Sequence, residues 1–141
     1  MSNEEKLKRA VKLLGISVII NILLGCATLN LTLPGMGSAV KIILVIINAL
    51  IYGFFIWQIN LKQNWARIAS LIFFIVSLIS TAHIYASFNT ISNMMSNFGL
   101  SHTKAIWIYL ITPTIQRVIE GTAMYLLFTK NMNTLFQKKL K

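Results

Sequence analysis

Four apolar runs, about residues 11–31, 39–60, 65–87 and 105–128, take up most of this chain and leave little freedom in its fold. Each is long enough to cross a hydrocarbon core of about 30 Å as an α-helix. Inside lipid a backbone has to satisfy its own N–H and C=O groups, which a helix does within one segment. The expectation is an all-α membrane protein: a four-transmembrane-helix antiparallel bundle forming a single membrane domain over residues 1–141. Only 11% of the residues are charged, against about 25% in a soluble domain, so no stretch is left for a soluble domain beside the spans.

The net charge of +10 would suit nucleic acid if the basic residues were spread over one surface. They are not. Lys6, Lys8, Arg9 and Lys12 precede the first run, Lys62 and Arg67 flank the second connection, and Lys130, Lys138, Lys139 and Lys141 follow the fourth run, leaving Lys41 and Lys104 on the other side. This positive-inside asymmetry puts both termini in the cytoplasm, N-in/C-in, and points to the bacterial inner membrane. The expected partners are anionic lipid headgroups at the cytoplasmic face, with a membrane-protein partner or a homo-oligomer besides, and no nucleic acid.

The connections follow from local signals. Ser2 and Glu5 have capping-box spacing, and Pro34-Gly35-Met36-Gly37 is a turn. Trp57 and Trp65 bracket a tight connection at headgroup depth. In the external segment 89–99, Ile91, Met94, Met95 and Phe98 share one helix face ahead of Gly99. A short interfacial helix is expected there, with those four residues as candidates for contact with a partner. The tail 130–141 carries Met132, Leu135, Phe136 and Leu140 on one side and lysines among them, a basic amphipathic segment suited to the inner leaflet.

Each run bears one polar stripe, which sets its inward face. The stripes are Ser17, Asn21, Gly25 and Thr28; then Lys41, Asn48 and Tyr52; then Ser70, Ser77, Thr81 and Tyr85; and last Tyr109, Pro113, Gln116, Arg117, Glu120 and Met124. The run midpoints fall near Asn21, Asn48, Ser77 and Gln116–Arg117, so a bundle brings those groups to one level. Arg117 lies roughly 16 Å from the inner end of its helix at 1.5 Å per residue, too deep to snorkel to water. A charge at that depth is a functional candidate by default. Glu120 stands three residues on and can neutralise it. The expectation is a buried polar cluster of Arg117, Glu120, Gln116, Asn21, Asn48 and Ser77, with the pair satisfied by each other and by Asn21 or Asn48. It locks helix register, lines a substrate, ion or proton path, or pairs with a helix of another protein. Pro113 removes an N–H from its helix and is expected to kink it, leaving the Tyr109 carbonyl open.

Most enzyme chemistry lacks its groups. The chain contains no aspartate, and Glu120 is the one carboxylate in the spans, so paired-carboxylate catalysis is excluded. Cys26 is the single cysteine, so there is no CxxC pair; Leu23-Leu24-Gly25-Cys26 has the outline of a lipoprotein cleavage box, but the Leu before Gly fits poorly. His83 and His102 without a third ligand make a poor metal site. Asn30-Leu31-Thr32 matches a glycosylation sequon, relevant only in a eukaryotic secretory setting. No cofactor, metal or catalytic residue is expected, and the chain reads as a non-enzyme. Its expected function is contact with other proteins in the bilayer as an accessory, regulatory or immunity-type protein. The alternative is a small oligomeric transporter or channel using the Arg117/Glu120 pocket.

Asn64-Trp65-Ala66-Arg67-Ile68, together with Leu126-Leu127-Phe128-Thr129 and the later Phe136, resembles a loose group of small four-helix bacterial inner-membrane proteins with an NWAR-type loop and an LLF-type last helix. The resemblance implies a fold and a location and carries over no catalytic or binding residue. The chain departs from the group in its Met- and Asn-rich external segment and in the Arg117/Glu120 pair.

Overall fold

The computed structural model describes residues 2–32, 38–96 and 101–137. Every element among them is helical: α1 (Asn3–Thr32), α2 (Ser38–Asn60), α3 (Asn64–Ala86), α4 (Phe88–Ser96), α5 (His102–Ile106), a π segment (Trp107–Ile111), α6 (Thr112–Phe128), a 3-10 turn (Lys130–Met132) and α7 (Asn133–Gln137). Three of these, over Asn3–Cys26, Ile42–Asn60 and Asn64–Ala86, are long and apolar enough to cross a membrane. The chain is a membrane protein by this architecture. The turn at Pro34–Gly37, Phe98, Gly99 and the lysines from Lys138 onward lie outside the described residues, as do the side chains of Met94 and Met95.

The helix starts and stops follow the local chemistry. Glu5 N–H donates to Ser2 Oγ at 3.2 Å and Ser2 N–H to Glu5 Oε2 at 2.7 Å, the reciprocal capping box that the spacing predicts. At the other end of α2, Gln63 N–H reaches the Gln58 carbonyl at 3.1 Å and Lys62 N–H the Ile59 carbonyl at 2.9 Å, a Schellman motif. Its left-handed residue is Lys62, with φ 61°, where glycine would fit without strain. α3 begins directly afterwards, so α2 and α3 form a hairpin.

α1 packs against α2 and α6, and α3 closes the ring by touching α2 and α6. Gly25 allows close approach within this ring: a Cβ there would lie 3.1 Å from Val45 Cγ2. The apolar core is concentrated at one end. Leu7 and Ala10 of α1, Ile59 of α2, Ala66 of α3 and Leu127 of α6 are buried there together with Met132 and Phe136. The apolar face of the tail, expected to rest on lipid, thus packs on the protein itself through Met132 and Phe136. The remaining faces are covered with large exposed apolar side chains, most densely along α2.

The fourth expected run departs from a plain helix. Its backbone stays in the right-handed helical region at Trp107, Ile111 and Thr112, but between α5 and α6 the hydrogen bonds step five residues instead of four. Thr112 N–H reaches the Trp107 carbonyl. Pro113 therefore sits at the start of α6, where a missing N–H costs little. Where a proline kink was expected, a π-bulge stands directly ahead of the proline. Two carbonyls at the bulge also accept from hydroxyls. Thr112 Oγ1 donates to Trp107 O at 2.8 Å, while Thr114 Oγ1 and Tyr85 OH donate to Leu110 O at 2.5 and 3.0 Å.

α4 fills most of the segment 89–99 as a helix, with Ile91 half-buried on it. Ser92 bonds His102 Nδ1 at 2.8 Å, and the His102 ring lies 5.9 Å from that of Phe88, so α4 is tied to the start of α5.

Candidate functional site

Glu120 of α6 is 5% exposed and points into the ring. The helical period puts Gln116 one turn before it on the same face, and Gln116 Nε2 donates to Glu120 Oε1 at 3.1 Å. From α1, Ser17 Oγ donates to the same oxygen at 2.5 Å and accepts from Gln116 Nε2 at 3.2 Å. The other carboxylate oxygen, Oε2, accepts from Arg117 Nη1 in an ion pair within α6.

Arg117 is half-buried and turns towards α3. Its Nη1 also donates to Ser77 Oγ at 2.6 Å and its Nε to Thr81 Oγ1 at 3.2 Å. Both hydroxyls donate to their own helix, Ser77 to Phe74 O and Thr81 to Ser77 O, each at 2.8 Å. That fixes their protons and leaves their lone pairs for the guanidinium. The network spans α1, α3 and α6 and uses Nε and Nη1 of Arg117; none of these bonds uses Nη2.

Two hollows meet at the pair. On the Glu120 side a cavity of about 30 Å³ is lined by Ser17, Tyr52, Ser70 and Ser77 among apolar neighbours, room for about one or two waters. On the Arg117 side a groove of about 290 Å³ runs between Asn21, Tyr52, Ser80, Thr81 and Gln116. Tyr52 of α2 borders both hollows.

Of the expected cluster, the fold brings Gln116, Arg117, Glu120 and Ser77 together. The expectation that Asn21 or Asn48 satisfies the pair is corrected. Asn21 is half-buried on the groove wall, and Ser17, one turn nearer the N-terminus, holds the position beside Glu120. Asn48 is exposed on α2. For Asn21 the reason is register: α1 starts at Asn3 and is centred near Ser17, one turn before the middle of its apolar run.

Arg67, read from the sequence as inner-face charge and as part of the Asn64–Ile68 motif, has a structural role. It is 7% exposed, and its Nη1 donates to the Leu127 carbonyl at 3.2 Å, capping the end of α6. Its guanidinium carbon lies 4.8 Å from the Phe128 ring centroid and 4.6 Å from that of Phe136. Arg67, Leu127, Phe128 and Phe136 therefore meet in one clamp. Nothing in the spacing of an arginine and two phenylalanines from distant segments announces that contact. No protein family, curated protein or solved structure matches the chain.

Proposed function

We propose that this chain is a non-enzymatic polytopic membrane protein of the bacterial inner membrane that acts by protein–protein contact within the bilayer, as an accessory, regulatory or immunity-type protein. In this reading α1, α2, α3 and the stretch from His102 to Phe128 all cross the membrane as an antiparallel four-helix bundle, N-in/C-in. That last stretch is about 40 Å long at 1.5 Å per residue, which suffices for the crossing. Helix direction is supported by the contacts. Arg67 at the start of α3 meets the end of α6, Tyr85 near the end of α3 meets Leu110, and Glu4 at the start of α1 meets Lys62 after α2.

One observation carries the functional reading. The Arg117–Glu120 pair takes its partners from Ser17, Ser77, Thr81 and Gln116 inside the ring, while α2 leaves Leu44 and Ile51 outward at 45% and 46% exposure. The polar groups hold the protein together, and the surface left for recognition is apolar and faces lipid. The test is crosslinking in native membranes at native expression, followed by affinity purification and sizing of the complex. A stoichiometric protein partner supports the reading; a monomer that captures nothing sinks it.

The second reading is a small oligomeric transporter or channel, favoured by the two hollows that converge on the pair from either side. Proton flux into liposomes carrying a trapped pH-sensitive dye tests it. Flux that Glu120→Gln abolishes while the protein stays folded would establish this reading over the first.

A further inference from the structure

Asn48 is a carboxamide exposed near the middle of a membrane-crossing helix, and its side chain makes no hydrogen bond with any other described residue. Lipid tails offer it no partner, and an unpaired amide in hydrocarbon is costly. Its neighbours are informative. Leu44, Asn48, Ile51 and Phe55 follow one another at steps of four, three and four residues, the spacing of a helix–helix seam. Leu44 and Ile51 on that seam are 45% and 46% exposed. Beside them a groove of about 320 Å³ runs between α2 and α3, with Phe73 as its α3 wall among the described residues. α2 meets α3 through Phe55–Trp65, Phe55–Phe73 and Tyr52–Phe73 ring contacts, while its earlier half leans on α1 through Val45. The seam at Asn48 is therefore unfilled.

We infer that this face is an interface with a second copy of the chain, in which the two Asn48 amides bond each other across a two-fold axis along the membrane normal. The chemistry selects the occupant. Copies inserted in the same orientation run their α2 helices parallel and hold Asn48 at one depth. A carboxamide is both donor and acceptor, so it complements its own image. A single asparagine in an apolar seam fixes register and two-strand pairing, with Leu44 and Ile51 packing on their counterparts on either side. The inference rests on the reading of contact in the bilayer and names the partner.

The test uses the full chain in liposomes with Cys26→Ser as background, since Cys26 is exposed and would crosslink on its own. Leu44→Cys and Ile51→Cys are expected to give covalent dimers on oxidation. Ile46→Cys and Leu50→Cys, on the opposite side of α2, are expected to give little. Asn48→Leu is expected to weaken dimerisation about 3- to 30-fold by energy transfer between labelled copies. Asn48→Gln, which keeps the amide, is expected to retain most of it. Because Asn48 is exposed, both variants are expected to fold, and their unfolding curves check that. Equal crosslinking around α2, unchanged affinity in Asn48→Leu, or a monomer overturns the inference. In native membranes, a different protein joined at Leu44→Cys overturns it but leaves the reading of partner contact standing. No crosslinked product there with any protein removes both.

Discussion

Ser17 of α1 donates to Oε1 of Glu120 on α6 across 2.5 Å, and Asn21, one turn further along α1, lines a groove instead. This hydroxyl ties α1 to α6 at the depth of the ion pair. Ser17→Ala leaves Gln116 as the remaining donor to that oxygen, and is expected to cost about 1–2 kcal/mol in reversible unfolding in detergent. Asn21→Ala is expected to stay within about 0.5 kcal/mol. Equal losses at the two positions would mean that the α1 register differs from the one described.

The ion pair invites a double-mutant cycle. Glu120→Leu strands the Arg117 guanidinium and Arg117→Leu strands a carboxylate that is 6% exposed. Each single change is expected to destabilise towards the lower end of the about 3–5 kcal/mol typical of broken buried pairs, because the Arg117 side chain is 17% exposed. The double change to leucine is expected to recover part of that loss, since it leaves no buried charge behind. A double variant as unstable as the sum of the singles would show that the pair does not act as a unit.

The sequence made some of this legible and concealed the rest for physical reasons. Apolar runs locate α2 and α3 to within about a residue, since hydrocarbon thickness and capping chemistry leave little choice of ends. The shared face of Gln116 and Glu120 and the nearness of Arg117 followed from helical period, a property local to α6, and Ser77 from the matching midpoints of two apolar runs. Ser17 in place of Asn21, and the outward Asn48, depend on how far one helix slides or leans against another. That is set by contacts such as Gly25 on Val45, which no single helix encodes. The π segment was hidden because a 3.6-residue period is assumed whenever stripes are counted, and Thr112-Pro113-Thr114 signals the exception only once the hydroxyls are seen on their carbonyls.

The clamp at Arg67 makes a prediction about the tail. Its guanidinium is held between Phe128 and Phe136, and its shape suits two ring faces and a carbonyl at once. Arg67→Lys keeps the charge but loses the planar stacking, while Phe136→Leu removes one ring at roughly 1–2 kcal/mol. Both are expected to loosen α7 before they unfold the ring. The readout is trypsin cleavage after the exposed Lys130, expected to accelerate about fivefold or more, 1–2 kcal/mol being about a 5- to 30-fold change in the open population. An unchanged cleavage rate in both variants would mean that the clamp does not hold the tail.

The hydroxyls around the π-bulge give the sharpest separation between packing and hydrogen bonding. Thr112→Val and Thr114→Val are nearly isosteric, yet they remove the donors to the Trp107 and Leu110 carbonyls. Thr112→Val is expected to cost about 1 kcal/mol of stability. Leu110 O keeps one hydroxyl donor when either Thr114 or Tyr85 is changed, so Thr114→Val and Tyr85→Phe should each be mild and the double change worse than the sum of its parts. Pro113→Leu restores an N–H at the start of α6 and permits a regular α-helix through Trp107–Ile111. Removing the extra residue of the bulge turns everything before it by about 100° relative to α6, which carries Trp107 and Tyr109 onto new faces. Tryptophan fluorescence quenching by lipid-borne bromine reads this directly. A shifted quenching depth for Trp107 in Pro113→Leu, with Trp57 and Trp65 unmoved, is the expected result. An unchanged Trp107 would mean that tertiary contacts, and not the proline, hold the bulge in place.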